Sequence, residues 1–462
     1  MKILVVGSGG REHALCHTLQ KTSRRPLRLY CAPGNDGIAQ IAECAAISAT
    51  DIDALAQFAA EAKIDLTIVG GEAPLAAGLT DEFVQRGLIV AGPDAQAARL
   101  EASKSFAKEF MARHNIPTAR FRVADSADAA REILRRSEFG GESAPVVIKA
   151  DGLAAGKGVV VARSRAEAEA TITEMMEQGR VGVSAARRVV IEDALTGPEA
   201  SLLFWTDGRD YKLMPAARDH KRVGEGDTGP NTGGMGAITD AAVLDAPMFK
   251  RVVREVVEPT LNGIRADELN FRGVVFVGLM LTPDGPQVLE YNVRFGDPEA
   301  QAILLRLRTD LSEIFEAVAH GKLGEIAVDW SEASSACVVL AARGYPEQPE
   351  TGARIEGLDE AAALSRVQLF HAATTRATDG AWLTAGGRVL SVASNGITLD
   401  DALKNCYAAV DLIRWDGMHY RRDIGQFRKQ EADGRGRKQE QEAGAGSGRQ
   451  EQTAVHDRGH RS

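Results

Sequence analysis

Residues 148–158 read IKADGLAAGKG and run on into VVVAR. One stretch thus holds an apolar strand, a glycine-rich turn and a second apolar strand, with Lys149 before the turn and Lys157 within it. A Walker phosphate loop needs GxxxxGK followed by Ser or Thr. Counting back from Gly156 and Lys157 puts Asp151 where the first glycine belongs, and Gly158 follows the lysine. The magnesium-binding hydroxyl is missing. The pattern predicts a flap instead, in which glycines let backbone N–H groups approach phosphate oxygens and lysines neutralise them. An ordinary hairpin turn is the competing reading, and the two lysines weigh against it.

Upstream, Lys2 to Val6 reads as a buried strand, GSGG as a loop and Arg11 to Gln20 as a helix. The order recurs at Ile64 to Val69, followed by GGEAP, which predicts a parallel α/β opening domain to about residue 100. A helix over Ala102 to His114 should stop before IPTAR, because the residue preceding a proline avoids the helical region. Beyond about residue 120 come strands with glycine-rich turns: RVVIEDALTGPEASLLFW and FRGVVFVGLMLTPDGPQVLEYNVRF join the opening stretch. Helical patterns interrupt them at Arg165 to Gln178 and Phe249 to Asn262, and a third α/β unit starts near Val328. From Gln426 the chain mixes Gly, Gln and charge with almost no apolar residue, so a disordered tail is expected there.

The 462 residues are 44% hydrophobic and carry a net charge of -9 without a dominant basic block. That is a globular composition with room for about three domains, and it argues against nucleic acid as the main partner. Cys16, Cys31, Cys44, Cys337 and Cys406 form no CxxC pair, so neither a disulfide framework nor a thiolate zinc site is indicated. The start, MKILVVGSGGREH, lacks the charged and long apolar regions of a secretory signal, and no apolar span has membrane length. A cytoplasmic, small-molecule enzyme is the class that remains.

The loop GSGGREH (7–13) fails the GxGxxG dinucleotide fingerprint, since Glu12 stands where the third glycine belongs. It still feeds a helix N-terminus, so a phosphorylated ligand without nicotinamide competes with a plain tight turn. His13 and His17 lack the glutamate of a zincin helix, Ala14 standing in its place, and packing is the better reading. In VLEYNVRFGDPE (288–299), Glu290, Asn292 and Arg294 alternate onto one face of a strand. A carboxylate and an amide oxygen beside a fixed positive charge suit Mg²⁺ and phosphate; a salt-bridged strand end is the alternative. The residues alone reach an ATP-using enzyme with a lysine-lined flap and a carboxylate-bound metal.

Taken together, GSGGREHAL, APGNDG, GGEAPLAAGL, ARHNIPTA, IKADGLAAGKGVVVA, DHKRVGEGDTGPNTGGMGA and EYNVRFGDPE resemble the phosphoribosylamine–glycine ligase family of ATP-grasp enzymes, from Met1 to about Gly425. The resemblance implies an α/β and α+β multidomain fold: an N-terminal parallel α/β domain at 1–101, an ATP-grasp domain at 102–327 with a mobile flap subdomain at about 120–193, and a small C-terminal domain at 328–425. It implies ligation of glycine to 5-phosphoribosylamine through a glycyl phosphate, with ATP as co-substrate and Mg²⁺ or Mn²⁺ as metal. Lys104 and Lys149 would hold ATP phosphates under a flap that includes Gly152, Gly156, Lys157 and Gly158. Glu192 would meet the adenine, with Leu195 nearby, and Glu199 the ribose hydroxyls. Glu290 and Asn292 would bind the metal, and Arg294 would steady the acyl phosphate.

On the substrate side the resemblance points to Gly9, Arg11, Glu12, Glu72, Asp219, His220, Lys221, Arg222, Asn231, Thr232, Gly233 and Gly234, with Asp297 for the glycine ammonium. No nucleic acid, membrane or obligate oligomer is implied; a monomer or weak homodimer is expected. Two departures stand out. The family commonly has GPEAPL where this chain has GGEAPL, so Gly71 replaces a proline and loop stiffness changes. Its members also end soon after YRRDIG, so the stretch from Gln426 reads as a lineage-specific extension or a shifted frame. Another ATP-grasp carboxylate–amine ligase, or a non-catalytic nucleotide-binding protein, is the rival reading.

Overall fold

The structure, a computed structural model, describes residues 1–154, 158–182 and 185–426. Gly156, Lys157 and the tail from residue 427 lie outside the described residues. Strands β1 (Lys2–Gly7), β2 (Arg28–Pro33), β3 (Glu43–Cys44), β4 (Leu66–Val69) and β5 (Val90–Ala91) form a parallel sheet in the order β3-β2-β1-β4-β5. Ile3 to Val6 are fully buried, as an apolar run covered on both faces must be. The helix Gly10–Thr22 follows the β1 loop directly. Gly7, at φ +139°, and Gly70, after β4, leave room where a Cβ would come within 2.6 Å of the Glu12 side chain. Two strand ends thereby close around one buried carboxylate.

The helix expected over Ala102 to His114 runs over Lys104–Arg113, and a separate helix, Ala95–Ala102, precedes it. Ser103 divides them: its backbone is extended, and its hydroxyl accepts the Phe106 N–H at 3.2 Å as an N-cap. The helix expected at Arg165 to Gln178 runs over Arg165–Ile172 and continues in a π turn to Glu177. The one expected from Phe249 starts earlier, at Ala246, because Asp245 caps it through the Met248 N–H, and it passes through a π turn to end at Ala266.

Strands β6 (Phe121–Ala124), β7 (Val146–Ala150), β8 (Val159–Ala162) and β9 (Val189–Asp193) make an antiparallel sheet in the order β6-β9-β7-β8. Here β7 and β8 are the two arms of the glycine-rich stretch, with Lys149 opposite Val159. Val146, Ile148, Val189 and Ile191 are fully buried under the helices Ala127–Arg135 and Arg165–Ile172.

The largest sheet collects β10 (Glu199–Thr206), β11 (Tyr211–Leu213), β12 (Ala217–Asp219), β15 (Gly236–Thr239), β16 (Gly273–Thr282), β17 (Gly285–Asn292), β18 (Ser334–Ala341), β20 (Val367–His371) and β23 (Arg388–Gly396). Its path is β17-β16-β10-β12-β15-β18-β23-β20, with β11 on β10. Off it stand a hairpin of β13 (Arg222–Gly224) and β14 (Thr228–Asn231), and a ribbon of β19 (Arg354–Ile355), β22 (Trp382–Thr384) and β21 (Thr374–Arg376). The segment expected as a separate third unit thus adds β18, β23 and β20 to the same sheet, joined by pairing of Gly236–Thr239 with Ser335–Val338. On β17 the register slips: Gly278 faces Glu290 while Leu279 faces Val288, so Leu289 is the extra residue of a bulge.

Candidate active site

Three elements converge on the end of β17. The helix Lys104–Arg113 begins with Lys104, whose Nζ donates to Glu290 Oε2 at 2.8 Å. From β7, Lys149 Nζ donates at 2.9 Å to the carbonyl of Leu289, the group that the bulge releases from the ladder. Glu192 on β9 supplies Lys149 with a carboxylate through Oε1, and its Oε2 pairs with Lys108. The side chain of Glu192 therefore faces the lysines, and Leu195, in the turn between β9 and β10, is half-buried.

The charges fit a phosphate site. Lys104 attracts Glu290, and its field outweighs burial to hold the Glu290 carboxyl well below its usual range. Burial alone would lower the Lys104 ammonium, yet Glu290 raises it. Burial also pulls Lys108 down to about 8 despite Glu192. Glu199, at the start of β10, accepts from Lys221 Nζ at 2.7 Å and raises that ammonium. Asp151 fastens the hairpin to the helix: its carboxylate accepts the Ser105 N–H at 2.7 Å and its carbonyl the Lys104 N–H at 2.9 Å. Gly152 lies so near Ala185 that a Cβ would stand 2.9 Å from its Cα, and a Cβ on Gly158 would stand 2.7 Å from Ala154 Cβ.

Arg294 is the hub of the next shell of contacts. Its Nη2 donates to Glu101 Oε1 at 2.7 Å and to Asn292 Oδ1 at 3.3 Å, while Nε donates to Glu72 Oε2 at 3.2 Å. Glu101 is buried and its other oxygen accepts the Val293 N–H, so burial raises its pKa while Arg294 opposes. Arg11 bonds Glu12 at 2.7 Å and the Phe295 carbonyl at 3.0 Å, and Gly9 N–H donates to Glu12 at 2.6 Å. Asp297 accepts from Gln301 at 2.8 Å and pairs with Arg388 at 3.2 Å. Glu290 and Asn292 are hard oxygen donors from one strand edge, the kind of set with which Mg²⁺ completes its shell from phosphates and water. Among the described residues no cluster of three or more His, Cys, Asp or Glu offers a protein-only metal cage.

The loop between β12 and β15 forms the far wall. Gly234, at φ +113°, sits where a Cβ would stand 2.4 Å from Pro298 Cδ and 2.8 Å from Asp219 Oδ1. That Asp219 oxygen is buried without a hydrogen-bond partner among the described residues, and burial beside Glu299 raises its pKa well above the usual range. Thr232 Oγ1 donates to the Lys221 carbonyl and accepts the Gly234 N–H, which fixes the loop. His220 turns away: buried, it accepts the Gly425 N–H at 2.9 Å on Nε2, so it anchors the hairpin. Arg222 is spent on the Gly229 carbonyl across that hairpin, and Asn231 is exposed.

Five residues with roles in this geometry escape a reading of motifs: Glu101, Lys108, Tyr345, Arg388 and Arg421. Arg388 Nη1 donates to the carbonyls of Gly233 and Asp297, both at 2.7 Å, and Tyr345 Oη accepts the Gly233 N–H at 3.0 Å. Arg421, 1% exposed, bonds Asp227, Asp423 and the Arg222 carbonyl. Their signals are slight: a charge after the GG of TAGGRVL (384–390) and a doubled arginine in YRRDIG (420–425).

Family models described as the phosphoribosylglycinamide synthetase N domain, ATP-grasp (A) domain and C domain match residues 1–101, 102–300 and 335–427. A phosphoribosylamine–glycine ligase of Xanthomonas axonopodis pv. citri is 47% identical over 440 residues, covering 94% of this chain and 100% of the relative. One from Caldanaerobacter subterraneus is 43% identical over 424 residues, 92% of this chain and 99% of the relative. The crystal structure of the Thermotoga maritima phosphoribosylamine–glycine ligase superposes at a TM-score of 0.78 with 33% identity, over 92% of this chain and 100% of that one. A biotin carboxylase domain from Hydrogenobacter thermophilus, 15% identical at a TM-score of 0.67 over 90% of this chain and 91% of its own, shares the fold alone. Three models in order along the chain, with relatives matched over nearly their whole length, establish that the chain belongs to the phosphoribosylglycinamide synthetase family of ATP-grasp ligases.

Proposed function

We propose that the protein joins glycine to 5-phosphoribosylamine at the expense of ATP, giving glycinamide ribonucleotide, ADP and phosphate in purine biosynthesis. A glycine carboxylate oxygen attacks the γ-phosphorus and ADP departs, which turns a poor acyl donor into glycyl phosphate. The amine of phosphoribosylamine then attacks that carbonyl, phosphate leaves with the bonding electrons, and the amine gives up a proton. Both nucleophiles belong to substrates, so no side chain is assigned as nucleophile or base.

Lys104 and Lys149 are the phosphate ligands in this reading, and Arg294 carries the charge that develops on the acyl-phosphate oxygens. Glu290 and Asn292 would hold Mg²⁺ or Mn²⁺, which supplies charge neutralisation at the phosphates when bound. Asp297, beside Gly9 and Arg388, would receive the glycine ammonium. Residues 1–101, 102–327 and 328–425 are the proposed domains, with 120–193 as the flap, and a cytoplasmic monomer or weak dimer is the proposed state.

The observation that carries the reading is the meeting of Lys104 and Lys149 on consecutive residues of one strand, Glu290 and Leu289. The test is purified protein with Mg·ATP, glycine and freshly generated phosphoribosylamine, scored for ADP. ADP formation that requires both other substrates is expected; ADP release independent of glycine overturns the assignment.

A further inference from the structure

Lys108 has no part in the chemistry proposed above, yet it is among the most deeply placed charges of the site. It lies one helical turn beyond Lys104, 2% exposed, with Nζ donating to Thr118 Oγ1 at 2.7 Å. Thr118 passes the bond on to the Val288 carbonyl at 2.6 Å, and the Phe121 ring lies 5.8 Å from the ammonium. Burial leaves it almost closed to solvent. Its carboxylate is Glu192, also 2% exposed, and Glu192 is shared with Lys149.

That sharing sets up an exchange. In this structure Lys149 rests between Glu192 and the Leu289 carbonyl. A phosphate chain that recruits Lys149 draws it from Glu192, and a buried carboxylate stripped of its counter-ion is strongly disfavoured. A second ammonium already paired with the other carboxylate oxygen removes that obstacle. We infer that Lys108 is a positioning residue for nucleotide binding: it keeps Glu192 compensated and fixed, so that Lys149 is free to pass from carboxylate to phosphate. The inference rests on the reading of Lys149 as a phosphate ligand.

The test is a double-mutant cycle read by calorimetric titration with Mg·ADP, using Lys108→Met, Glu192→Gln and the pair together in the full chain. Lys108→Met leaves Lys149 as the sole counter-ion of Glu192, so Mg·ADP affinity should fall by about tenfold or more while the KM for glycine stays within about twofold. With Glu192 neutral, Lys149 is no longer held, and the double variant should bind Mg·ADP within about twofold of Glu192→Gln alone. A residue that only packs would give additive losses. Additive losses, or wild-type affinity in Lys108→Met, overturn the inference. Should Lys108→Met not fold alone, Lys108→Gln takes its place with the same outcomes. Lys149→Met separates the underlying reading: unchanged Mg·ADP affinity there would remove Lys149 from the phosphates, whatever the cycle shows.

Discussion

At the scale of single residues, the site is held by charges that find their partners within the protein. Lys104 and Glu290 are the clearest pair, and both are partly open, at 17% and 30% exposure. Glu290→Gln leaves a partly solvated polar group beside Lys104 and opens no core cavity, so folding should suffer far less than turnover. It removes the carboxylate proposed to hold the metal. Turnover should fall by roughly 100-fold or more with a thermal midpoint within about 4 °C of the parent; unchanged turnover would take Glu290 out of the site. Glu290 and Asn292 were legible because alternation on one strand puts them on one face, while Arg294 lies past the strand end and reaches back to Asn292 through its guanidinium. Glu101 was not, since its partner Arg294 is 193 residues away and nothing local marks a glutamate at a helix end as a guanidinium ligand. Lys108 was hidden differently: a lysine four residues after another on a helix looks like an ordinary solvated face.

At the scale of elements, caps and irregularities decide where the functional groups point. Ser103 starts a new helix so that Lys104 stands at its first turn, with the Ser103 hydroxyl also donating to Asp151 of the hairpin turn at 3.1 Å. Ser103→Ala should cost about 1 kcal/mol in chemical denaturation and raise the KM for ATP while that for glycine holds. Equal rises for both substrates would mean that the cap serves only stability. The segment His419–Gly425 acts on the β13–β14 hairpin in the same manner: Arg421 bonds Asp227 and the Arg222 carbonyl, and the Gly226 N–H donates to Asp423. Arg421→Met should raise amide exchange across Arg222–Asn231 and raise the KM for phosphoribosylamine by about tenfold, with the KM for ATP within about twofold. A hairpin that exchanges as in the parent would show the bond to be dispensable. The β7–β8 hairpin and its glycines were readable from turn residues, but the bulge at Leu289 leaves no trace in the apolar pattern, because it comes from pairing with a strand whose register is set elsewhere.

At the scale of the molecule, burial has been extended to groups that prefer water. Burial holds His13 down to about 3 and His220 and His371 down to about 4, with neighbouring positive groups adding to it. An unfolded chain takes up protons on these rings below about pH 6.5, and the folded one does not, so their contribution is intact above that pH and is lost as the pH falls toward 4. The loss approaches about 1.4 kcal/mol per pH unit for each ring. Thermal midpoints should drop steadily from pH 6.5 to 4.5; a level midpoint down to pH 5 would mean that the rings take protons in place. The parallel opening sheet and the hairpin sheet were visible in apolar runs and glycine turns, whereas the run from β17 to β20 was not, since the order of strands drawn from Glu199 to Gly396 is not a local property. That run has a practical side. β15 is fully buried and its outer row of N–H and C=O groups is matched by β18. A chain stopped before Ser334 would present that row as an open sheet edge, a template for a second copy. It should scatter light at concentrations where the complete chain stays clear, so the C-terminal third also acts as a built-in guard against self-association.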